Sequence, residues 1–302
     1  MTDRLMLLDT ASLYFRSFYG VPTSIKAPDG TPVNAVRGLA DFISRLVSDH
    51  RPTALIAAWD NDWRPQFRVD LVPSYKAHRV AADDEDVPDE LSVQVPLISE
   101  LLALSGICRI GVDGFEADDV IATLATRARC PVAIVTGDRD LFQLVDDAAP
   151  VRVLYTAARG VGRAELIDNA AVRSRYGVDA AQYADLALLR GDPSDGLPGV
   201  KGVGEKTAAK LLNQYGTVEA LVAAVTGGSS GLSPAVRRNV MAGLPYLEQA
   251  RTVVDVVRDV PLPDFDPMLP VRNPDPEALA RFAVRWGLVS SVHRLSTALG
   301  WS

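Results

Sequence analysis

The sequence predicts an α/β fold with a mostly parallel central sheet and helices on both faces, followed by a mostly helical second half. Two observations lead to this prediction. Short apolar runs alternate with helical patterns through the first part of the chain, which is typical of doubly wound sheets. Later, helical patterns follow one another with few strands between them. We therefore expect an α/β core at 1–160 and a mostly helical part at 161–302.

Each apolar run of the first part is continuous enough to be a strand buried on both faces of a parallel sheet. The predicted strands are Leu5–Leu8, Leu55–Trp59, Val132–Val135 and Val151–Tyr155. Helical patterns between the first three lie at Ala35–Ser48, Leu91–Ser105 and Asp118–Ala128. Ligands of such sheets bind beyond the carboxyl ends of the strands, so a functional site is expected at that edge.

The second part contains four helical patterns and two irregular segments. The helices are predicted at Ala164–Tyr176, Ala180–Leu189, Lys206–Tyr215 and Val218–Val225. Gly227–Gly231 is a Gly/Ser-rich loop, and Pro261–Pro276 is a proline-rich extended stretch. Closing helices are expected between Pro276 and Leu299, packing back on the core.

The composition is that of an ordinary globular chain. Its 302 residues are 48% hydrophobic and 23% charged, which is enough to build a substantial core. Cys108 and Cys130 are the only cysteines, so there is neither a disulfide framework nor a pair with zinc-ligand spacing. The first apolar run is too short for a membrane span or a signal peptide. We expect a cytoplasmic, monomeric protein without membrane contact.

The net charge of −7 on its own argues against a nucleic-acid partner, because phosphate contacts require Lys and Arg. This average is misleading if some of the acids bind metal ions. With nine acids assigned to metal sites, as argued below, the remaining 29 of the 38 Asp and Glu stand against 31 Lys and Arg. The acidity therefore does not exclude DNA, and it gives no positive argument for it.

Five carboxylates surround one strand and one helix of the first part: Glu116, Asp118, Asp119, Asp138 and Asp140. Crowded acids in apolar surroundings repel one another unless a cation compensates them, and hard oxygen ligands favour Mg²⁺ or Mn²⁺. Glu116 and Asp119 are spaced i, i+3, so they are expected on one helix face with Asp118 turned partly away. Helix capping and an Asp-rich turn are the alternatives.

Four further acids extend this group. Asp9 and Asp60 follow two other predicted strands, and a parallel sheet brings them to the edge where the first five lie. This coincidence favours a joint metal site over capping or turn chemistry. Another pair, Asp192 and Asp195, lies in a loop rich in Gly and Pro.

A glycine hairpin at 199–207 leads directly into a helix. Its glycines allow a phosphate to approach the backbone, the helix N-terminus offers free N–H groups, and two lysines share one helix face. This combination indicates a helix-hairpin-helix clamp that grips a DNA backbone without reading bases. The residues expected to contact DNA are Lys201, Gly202, Gly204, Lys206, Thr207 and Lys210.

Two other interpretations of the hairpin are less favoured. A simple turn remains an alternative. The spacing of Gly199 and Gly204 approaches that of a nucleotide P-loop, but Glu205 stands where that motif requires Lys. No strand precedes the loop either, so the P-loop interpretation fails.

Basic and aromatic residues are interleaved just after the strand that ends near Asp60. Such a mixture suits stacking on bases and pairing with phosphates of single-stranded nucleic acid. The residues concerned are Arg64, Arg68, Tyr75, Lys76 and Arg79. A solvated loop has a similar composition, and the acidic run Asp83–Asp86 that follows weakens the interpretation.

No protein nucleophile is indicated by the pattern. The three histidines are scattered, and none lies beside a strand-end acid, so metal-activated water is the expected nucleophile. A phosphatase-type aspartate at Asp138 or Asp140 is a competing hypothesis. It explains neither the hairpin nor the pair Asp192 and Asp195.

The chain resembles the 5′-nuclease family, which comprises flap endonucleases and the 5′-nuclease domain of bacterial DNA polymerase I. Four motifs carry the resemblance, in the family's order and over nearly the whole chain. They are Phe67-Arg68 with Tyr75-Lys76-Ala77-x-Arg79, Glu116-Ala117-Asp118-Asp119, Thr136-Gly137-Asp138-Arg139-Asp140, and Gly191-Asp192-x-Ser194-Asp195 through Thr207. The resemblance implies a PIN-like nuclease core and a helical arch at about residues 64–91.

The resemblance also implies two metal clusters of four acids each. Asp9, Asp60, Glu116 and Asp118 would serve the first ion, and Asp138, Asp140, Asp192 and Asp195 the second. Asp119 lies between them and has no firm assignment. Lys76 and Arg79 would lie near the scissile phosphate and act with Asp138 and Asp140 in catalysis. In the family, the hairpin holds duplex DNA together with a K⁺ ion bound by backbone carbonyls.

The implied activity is that of a metal-dependent 5′-3′ exonuclease and flap endonuclease that leaves a 5′-phosphate and serves DNA replication and repair. Its partners would be DNA with 5′ flaps, nicks or free 5′ ends, together with a DNA polymerase and a ligase. A catalytically weak module that binds branched DNA is the alternative. Two departures concern Gly196, where relatives commonly have Asn, and the acidic run within the arch. The first is expected to loosen the turn that aims Asp195.

Overall fold

The computed structural model of the protein describes residues 4–81, 88–157, 160–228 and 231–301. A six-stranded sheet with the order β3-β2-β1-β4-β5-β6 forms its centre. The strands are β1 Leu5–Asp9, β2 Ala54–Ala58, β3 Cys108–Ile110, β4 Val132–Thr136, β5 Val151–Tyr155 and β6 Glu165–Ile167. The first five pair in parallel, and β6 runs antiparallel to β5. The predicted α/β class is confirmed.

The sequence analysis does not predict the two short strands β3 and β6, because three residues are too few to establish a periodicity. Strand β6 lies at the sheet edge with Glu165 and Leu166 exposed, so it lacks the apolar run of a buried strand. The helix predicted from Ala164 therefore begins only at Asn169. Its N-cap is Asp168, whose carboxylate accepts a hydrogen bond from the Ala171 N–H at 2.8 Å.

Helices cover both faces of the sheet and build the second half. In chain order they are α1 Thr10–Gly20, α2 Asn34–His50, α3 Gln66–Leu71, α4 Ala77–Ala81, α5 Asp89–Ser92, α6 Val95–Leu104, α7 Ala117–Arg127, α8 Asn169–Tyr176, α9 Tyr183–Arg190, α10 Glu205–Tyr215, α11 Val218–Thr226, α12 Pro234–Val254, α13 Pro276–Arg285 and α14 Val289–Ala298. Helix α12 was not predicted, because Gly243 and Pro245 interrupt its pattern. No helix among the described residues combines the length and apolarity that crossing a bilayer requires.

The core consists of two apolar clusters, one on each face of the sheet. Along β1, Leu5 and Leu7 point into the cluster that α7 and the helices α9–α12 complete. Met6 and Leu8 point into the other, which contains α2, α6 and the closing helices α13 and α14. This alternation follows from the two-residue period of a strand. Both halves of the chain thus pack on the sheet that carries the acidic edge.

Candidate functional site

Five carboxylates of the predicted metal site line one cavity beyond the carboxyl ends of the strands. Asp9 is the last residue of β1, whereas Asp60 and Asp138 each follow a strand end by two residues. The cavity has a volume of about 680 Å³. Its charged lining consists of Asp9, Asp60, Lys76, Arg79, Glu116, Asp118 and Asp138. Asp140, Asp192 and Asp195 lie outside this lining.

Asp9 is buried at the start of helix α1. One of its carboxylate oxygens accepts the Ser12 N–H at 3.1 Å as a helix cap, and the other accepts the Thr136 hydroxyl at 2.6 Å. Burial raises the pKa of Asp9 to about 7 against the lowering effect of the Thr136 hydrogen bond, and the charge of Asp60 adds to the rise. Ionised Asp9 therefore lacks a sufficient positive partner.

The charged forms of the neighbouring acids are disfavoured in the same way. Burial raises the pKa of Asp118 and of Asp140 well above the ordinary value, and the charge of Asp138 is the next cause for both. Burial also raises the pKa of Asp60, although its carboxylate accepts the Ala117 N–H at 2.8 Å. A divalent cation would relieve these groups together, because it compensates several negative charges at once.

Glu116 lies beside this acidic group but is already compensated. Its carboxylate accepts the Tyr75 hydroxyl at 2.6 Å and the Arg68 guanidinium at 3.2 Å, and it pairs with the Lys76 ammonium. Burial opposes the charged form of Lys76, but Glu116 outweighs it and the pKa of Lys76 is raised. Lys76 therefore stays protonated at the cavity wall.

Asp119 does not line the cavity whereas Asp118 does, which corrects the expectation that Asp118 is the acid turned partly away. It is 0% exposed, and Arg68 grips both of its oxygens at 2.6 and 2.8 Å. The expectation assumed helical spacing from Glu116 onward. Glu116 is instead the N-cap with extended backbone, so Asp118 takes the cavity side and Asp119 the core side.

Arg68 and Tyr75 are also placed differently from the expectation that they contact DNA. Their exposures are only 2% and 3%. Arg68 is occupied by Asp119, Glu116 and the Val253 carbonyl, and Tyr75 by Glu116. Their charge and aromatic character serve the core, because a buried cation requires such partners.

The pair Asp192 and Asp195 sits in a 3₁₀ turn at Pro193–Asp195. Asp192 accepts the Ser194 N–H at 2.9 Å and lies 3.6 Å from Arg190. Asp195 pairs with Arg79 at 3.1 Å, and burial raises the pKa of Asp195 to about 6, with Lys76 opposing the rise. Asp195 therefore borders the cavity cation Arg79, whereas Asp192 lies beside Arg190.

Lys76 and Arg79 are the predicted cations that reach the cavity. Lys76 has a left-handed backbone, with φ of 48°, and its N–H donates to the Asp195 carbonyl at 2.9 Å. A non-glycine residue in this region is strained and persists only where the surroundings hold it. Arg64 instead donates to the carbonyls of Tyr75 at 2.7 Å and Pro73 at 3.2 Å, so it secures the segment that presents Lys76.

Gly196 permits a close approach between its turn and the Ser74 segment, whereas the expectation that it loosens the turn stays a prediction. Its φ is +72°, and a Cβ atom there would stand 2.0 Å from the Ser74 carbonyl oxygen. Because glycine leaves this space free, the Ser74 hydroxyl can donate to the Gly196 carbonyl at 2.8 Å. The close approach joins Asp195 to the segment that carries Lys76.

The glycine hairpin presents its predicted DNA contacts at the surface, away from the cavity lining. Lys201, Gly202, Gly204, Lys206 and Lys210 are exposed and Thr207 is half-buried. Gly204 is the N-cap of α10 and offers no side-chain acceptor to the first turn, so that turn is open to a phosphate. Of the arch, helices α3 and α4 are described, whereas the acidic run Asp83–Asp86 lies outside the described residues.

No three Asp, Glu, His or Cys side chains converge as a ready-made metal site in the described parts of the chain. Mutual repulsion and existing bonds explain this: Glu116 is held by Lys76, and Asp195 by Arg79. The donor set still fits a hard divalent ion, because it consists of carboxylates. Burial disfavours the charged forms of several of them, as the raised pKa values of Asp9, Asp118 and Asp140 indicate.

Several cavity residues were not predicted from the sequence. Ser12 and Thr136 bond Asp9, and the aromatic side chains of Tyr14, Phe15 and Trp59 line the cavity. Trp63, which begins the predicted basic and aromatic segment, lines it too. Asp9-Thr10-Ala11-Ser12 is a capping pattern, which is the signal that could have revealed α1 and its aromatic residues. The role of Thr136 depends on the pairing of β1 with β4 and has no local signal.

Comparisons with known proteins match most of the chain. Family models described as the 5′-3′ exonuclease N-terminal resolvase-like domain and the 5′-3′ exonuclease C-terminal SAM fold match residues 4–177 and 178–277. A 5′-3′ exonuclease of Streptomyces coelicolor is 61% identical over 300 residues, which cover 97% of this chain and 99% of that protein. DNA polymerase I of Mycobacterium bovis is 44% identical over 262 residues, or 85% of this chain but 28% of the polymerase.

A solved structure shows the same fold at low sequence identity. It is the flap endonuclease of bacteriophage T5 in a pseudo-enzyme-product complex with DNA and metal ions. It superposes with a TM-score of 0.66 at 17% identity, covering 98% of this chain and 99% of that one.

Proposed function

The chain belongs to the 5′-3′ exonuclease family, and on this premise we propose how its residues perform the reaction. The proposed enzyme is a divalent-metal-dependent, structure-selective 5′-nuclease that hydrolyses DNA phosphodiesters as a 5′-3′ exonuclease and flap endonuclease. It leaves a 5′-phosphate and serves replication and repair.

One observation carries the proposal: crowded, poorly compensated acids share a cavity with two cations. Asp9, Asp60 and Asp118 have raised pKa values, and Lys76 and Arg79 line the same space. Divalent ions would be held by the acids, and a phosphodiester would be attracted by the ions and the cations. This pairing of opposite charges suits phosphoryl chemistry better than simple duplex binding.

We assign the metal ligands in two groups. Asp9, Asp60, Glu116 and Asp118 would hold the first Mg²⁺ or Mn²⁺ ion, and Asp138, Asp140, Asp192 and Asp195 the second. Asp119 is assigned to neither, because its oxygens are committed to Arg68. When bound, such ions lower the pKa of a water molecule and stabilise the leaving oxygen.

Lys76 and Arg79 are proposed to bind the scissile phosphate from the cavity wall. Lys76 is protonated, since Glu116 raises its pKa, and it would neutralise part of the phosphodiester charge. Arg79 pairs with Asp195 at 3.1 Å, and its planar guanidinium suits bidentate binding of phosphate oxygens. Both would orient the substrate toward the acids.

The exposed hairpin is proposed to hold the duplex beside the cut. Lys201, Lys206 and Lys210 would contact phosphates, and backbone carbonyls of the hairpin would hold a K⁺ ion. The substrate is then DNA with a 5′ flap, a nick or a free 5′ end, and a DNA polymerase and a ligase would act on the product. We further propose a monomer in the cytoplasm, in keeping with free Cys108 and Cys130.

The decisive experiment maps the products of a 5′-labelled flap with Mg²⁺, Mn²⁺ or EDTA. We expect cleavage near the junction with either ion, none in EDTA, and a 5′-phosphate on the product. The alternative, a weak module that only holds branched DNA, predicts binding without turnover. A phospho-aspartate that survives incubation with a small phosphoester would instead support the phosphatase hypothesis.

A further inference from the structure

The segment Val253–Val260, hereafter the strap, begins with the last two residues of α12 and runs along helix α7. Side chains, rather than a neighbouring strand, bond much of its backbone. Arg68 donates to the Val253 carbonyl at 3.3 Å, and Gln143 donates to the Val254 carbonyl at 3.2 Å. Gln143 also accepts the Val256 N–H at 3.2 Å. A buried segment requires such partners, because unpaired backbone groups are costly.

Helix α7 holds the strap with three residues spaced i, i+4, i+8, which therefore lie along one helix face. Asp119 accepts the Val257 N–H at 2.8 Å. The Thr123 hydroxyl donates to the Val257 carbonyl at 3.2 Å and accepts the Val260 N–H at 3.1 Å. Arg127 donates to the Val260 carbonyl at 3.0 Å. The position of the strap and that of α7 are thus tied together over two turns.

The contact between Asp119 and the strap is connected to the candidate metal site through Arg68. The Asp119 oxygen that accepts from the strap also accepts Arg68 at 2.6 Å, and Arg68 reaches Glu116 at 3.2 Å. Asp119 additionally accepts the Glu116 N–H at 3.2 Å. Both charges of the pair are buried, so neither can move without leaving the other uncompensated.

The N-terminal end of the strap is connected to the glycine hairpin through helix α12. Helix α12, which continues into the strap, packs against the hairpin: a Cβ at Gly202 would stand 3.0 Å from the Asn239 amide nitrogen. A Cβ at Gly243 would stand 3.4 Å from Val200. One continuous piece of chain therefore joins the proposed duplex contact to the pair beside Glu116.

We propose that the strap positions Glu116 through the Arg68–Asp119 pair, so that Asp119 is a positioning residue and not a metal ligand. The strap fixes Asp119, Asp119 fixes Arg68, and both fix the side chain and the backbone of Glu116. This inference rests on the proposed function, because it assigns Glu116 to an ion. It gives Thr123, which lies remote from the cavity lining, a measurable influence on metal binding.

The first test compares Asp119→Asn with Asp118→Asn by calorimetric titration of the full chain with Mn²⁺. Asp119→Asn should bind as many ions as the wild type, on the order of 10- to 100-fold more weakly, as is usual when a ligand's supporting contact is lost. Asp118→Asn should lose an ion. Loss of an ion in Asp119→Asn, or wild-type affinity in that variant, would overturn the proposal.

The second test changes an uncharged residue, so it can be carried out even if Asp119→Asn fails to fold. Thr123→Val removes the hydroxyl that bonds the strap and keeps the side-chain shape, whereas Thr123→Ser keeps the hydroxyl. We expect Thr123→Val to weaken Mn²⁺ binding by about 3-fold, the scale of one lost hydrogen bond, and Thr123→Ser to restore it. A lowered Tm with unchanged Mn²⁺ affinity would reduce Thr123 to a structural role and contradict the proposal.

The two proposals fail in different ways. If the wild type does not cleave the labelled flap, the proposed function fails, while the Mn²⁺ titrations still report on positioning. If the wild type cleaves but both variants bind Mn²⁺ as it does, the positioning role fails and the nuclease function stands.

Discussion

Asp118 and Asp119 are neighbours in the chain, yet they belong to two carboxylate clusters of opposite character. The first, the open cluster of Asp9, Asp60, Asp118 and Asp138, lines the cavity, and burial raises the pKa of its first three members. The second, the closed cluster of Glu116 and Asp119, is saturated by Arg68 and Lys76. The acids of the open cluster have too little positive charge around them and can be compensated by a bound metal ion, whereas the acids of the closed cluster also hold neighbouring segments in place.

The difference also separates what each cluster contributes. The open cluster costs folding free energy because its charges repel one another in a buried place, which is the usual state of a binding site. The closed cluster links α7 to α3, to the Tyr75–Lys76 segment and to the strap through hydrogen bonds and ion pairs. Perturbing the first should alter activity without lowering stability, and perturbing the second should lower stability and, through Glu116, weaken metal binding.

The largest expected effect is on activity, from the double variant Asp138→Asn with Asp140→Asn. Loss of ligands for an ion should reduce single-turnover cleavage of a labelled flap by a factor on the order of 10³ or more, because such an ion supplies several kcal/mol to the transition state. Duplex binding should be largely retained. The matched control, Asp264→Asn with Asp266→Asn, changes two exposed acids at the same spacing; full activity in the first double variant would refute the metal mechanism.

The next effect is on stability and tests the closed cluster. Arg68→Met leaves Asp119 buried without its partner, which should lower the free energy of unfolding by about 3–5 kcal/mol. Asp118→Asn removes a charge from the open cluster, so in EDTA it should be neutral or stabilising. Urea denaturation of both variants in EDTA makes the measurement. If both lose stability alike, the two clusters do not differ in the way described.

A smaller effect concerns the hairpin, which lies in neither cluster. Lys206→Ala with Lys210→Ala should weaken duplex binding and reduce the slope of log K against log salt by about 2, because two phosphate contacts are lost. Cleavage at saturating DNA should stay unchanged, since both clusters are intact. Lys26→Ala with Arg45→Ala removes two exposed cations elsewhere and serves as control. An equal salt slope in all proteins would argue against the clamp.

A further effect is a pH dependence of the metal-free protein. Burial raises the pKa of Asp9 from 3.8 to about 7, so between these values the folded state holds a proton that the unfolded chain has released. Stability should therefore fall as pH rises through this window in EDTA. Mg²⁺ binds the ionised form, so its stabilising effect should grow over the same range.

Thermal unfolding between pH 4 and pH 8, with EDTA or with Mg²⁺, measures this dependence. Asp9→Asn should flatten the EDTA curve, whereas Asp49→Asn on the exposed face of α2 should leave it unchanged. A wild-type EDTA curve that rises with pH through this window would contradict the assigned direction of the Asp9 shift.

The sequence by itself determined strands β1, β2, β4 and β5, the acids near the ends of the first three and the hairpin. A buried strand is visible as a local apolar run, and an acid that follows it is visible in the sequence. The glycines that form the hairpin turn lie close together within Gly199–Thr207. Strands β3 and β6 escaped because three residues show no period, and α12 escaped because Pro245 interrupts its pattern. In each case the residues of the element itself lack the pattern from which a strand or a helix is predicted.

Only the tertiary structure decided which charged side chains are paired with an opposite charge and which line the cavity. Arg68 has the composition of a DNA contact, but its partner Asp119 is 51 residues away and the Val253 carbonyl is 185 residues away. Likewise, Asp118 and Asp119 are chemically the same residue and differ only in what packs against each side of α7. Burial and pairing are properties of positions brought together by folding, and a carboxylate's pKa and role depend on them more than on its neighbours in the chain.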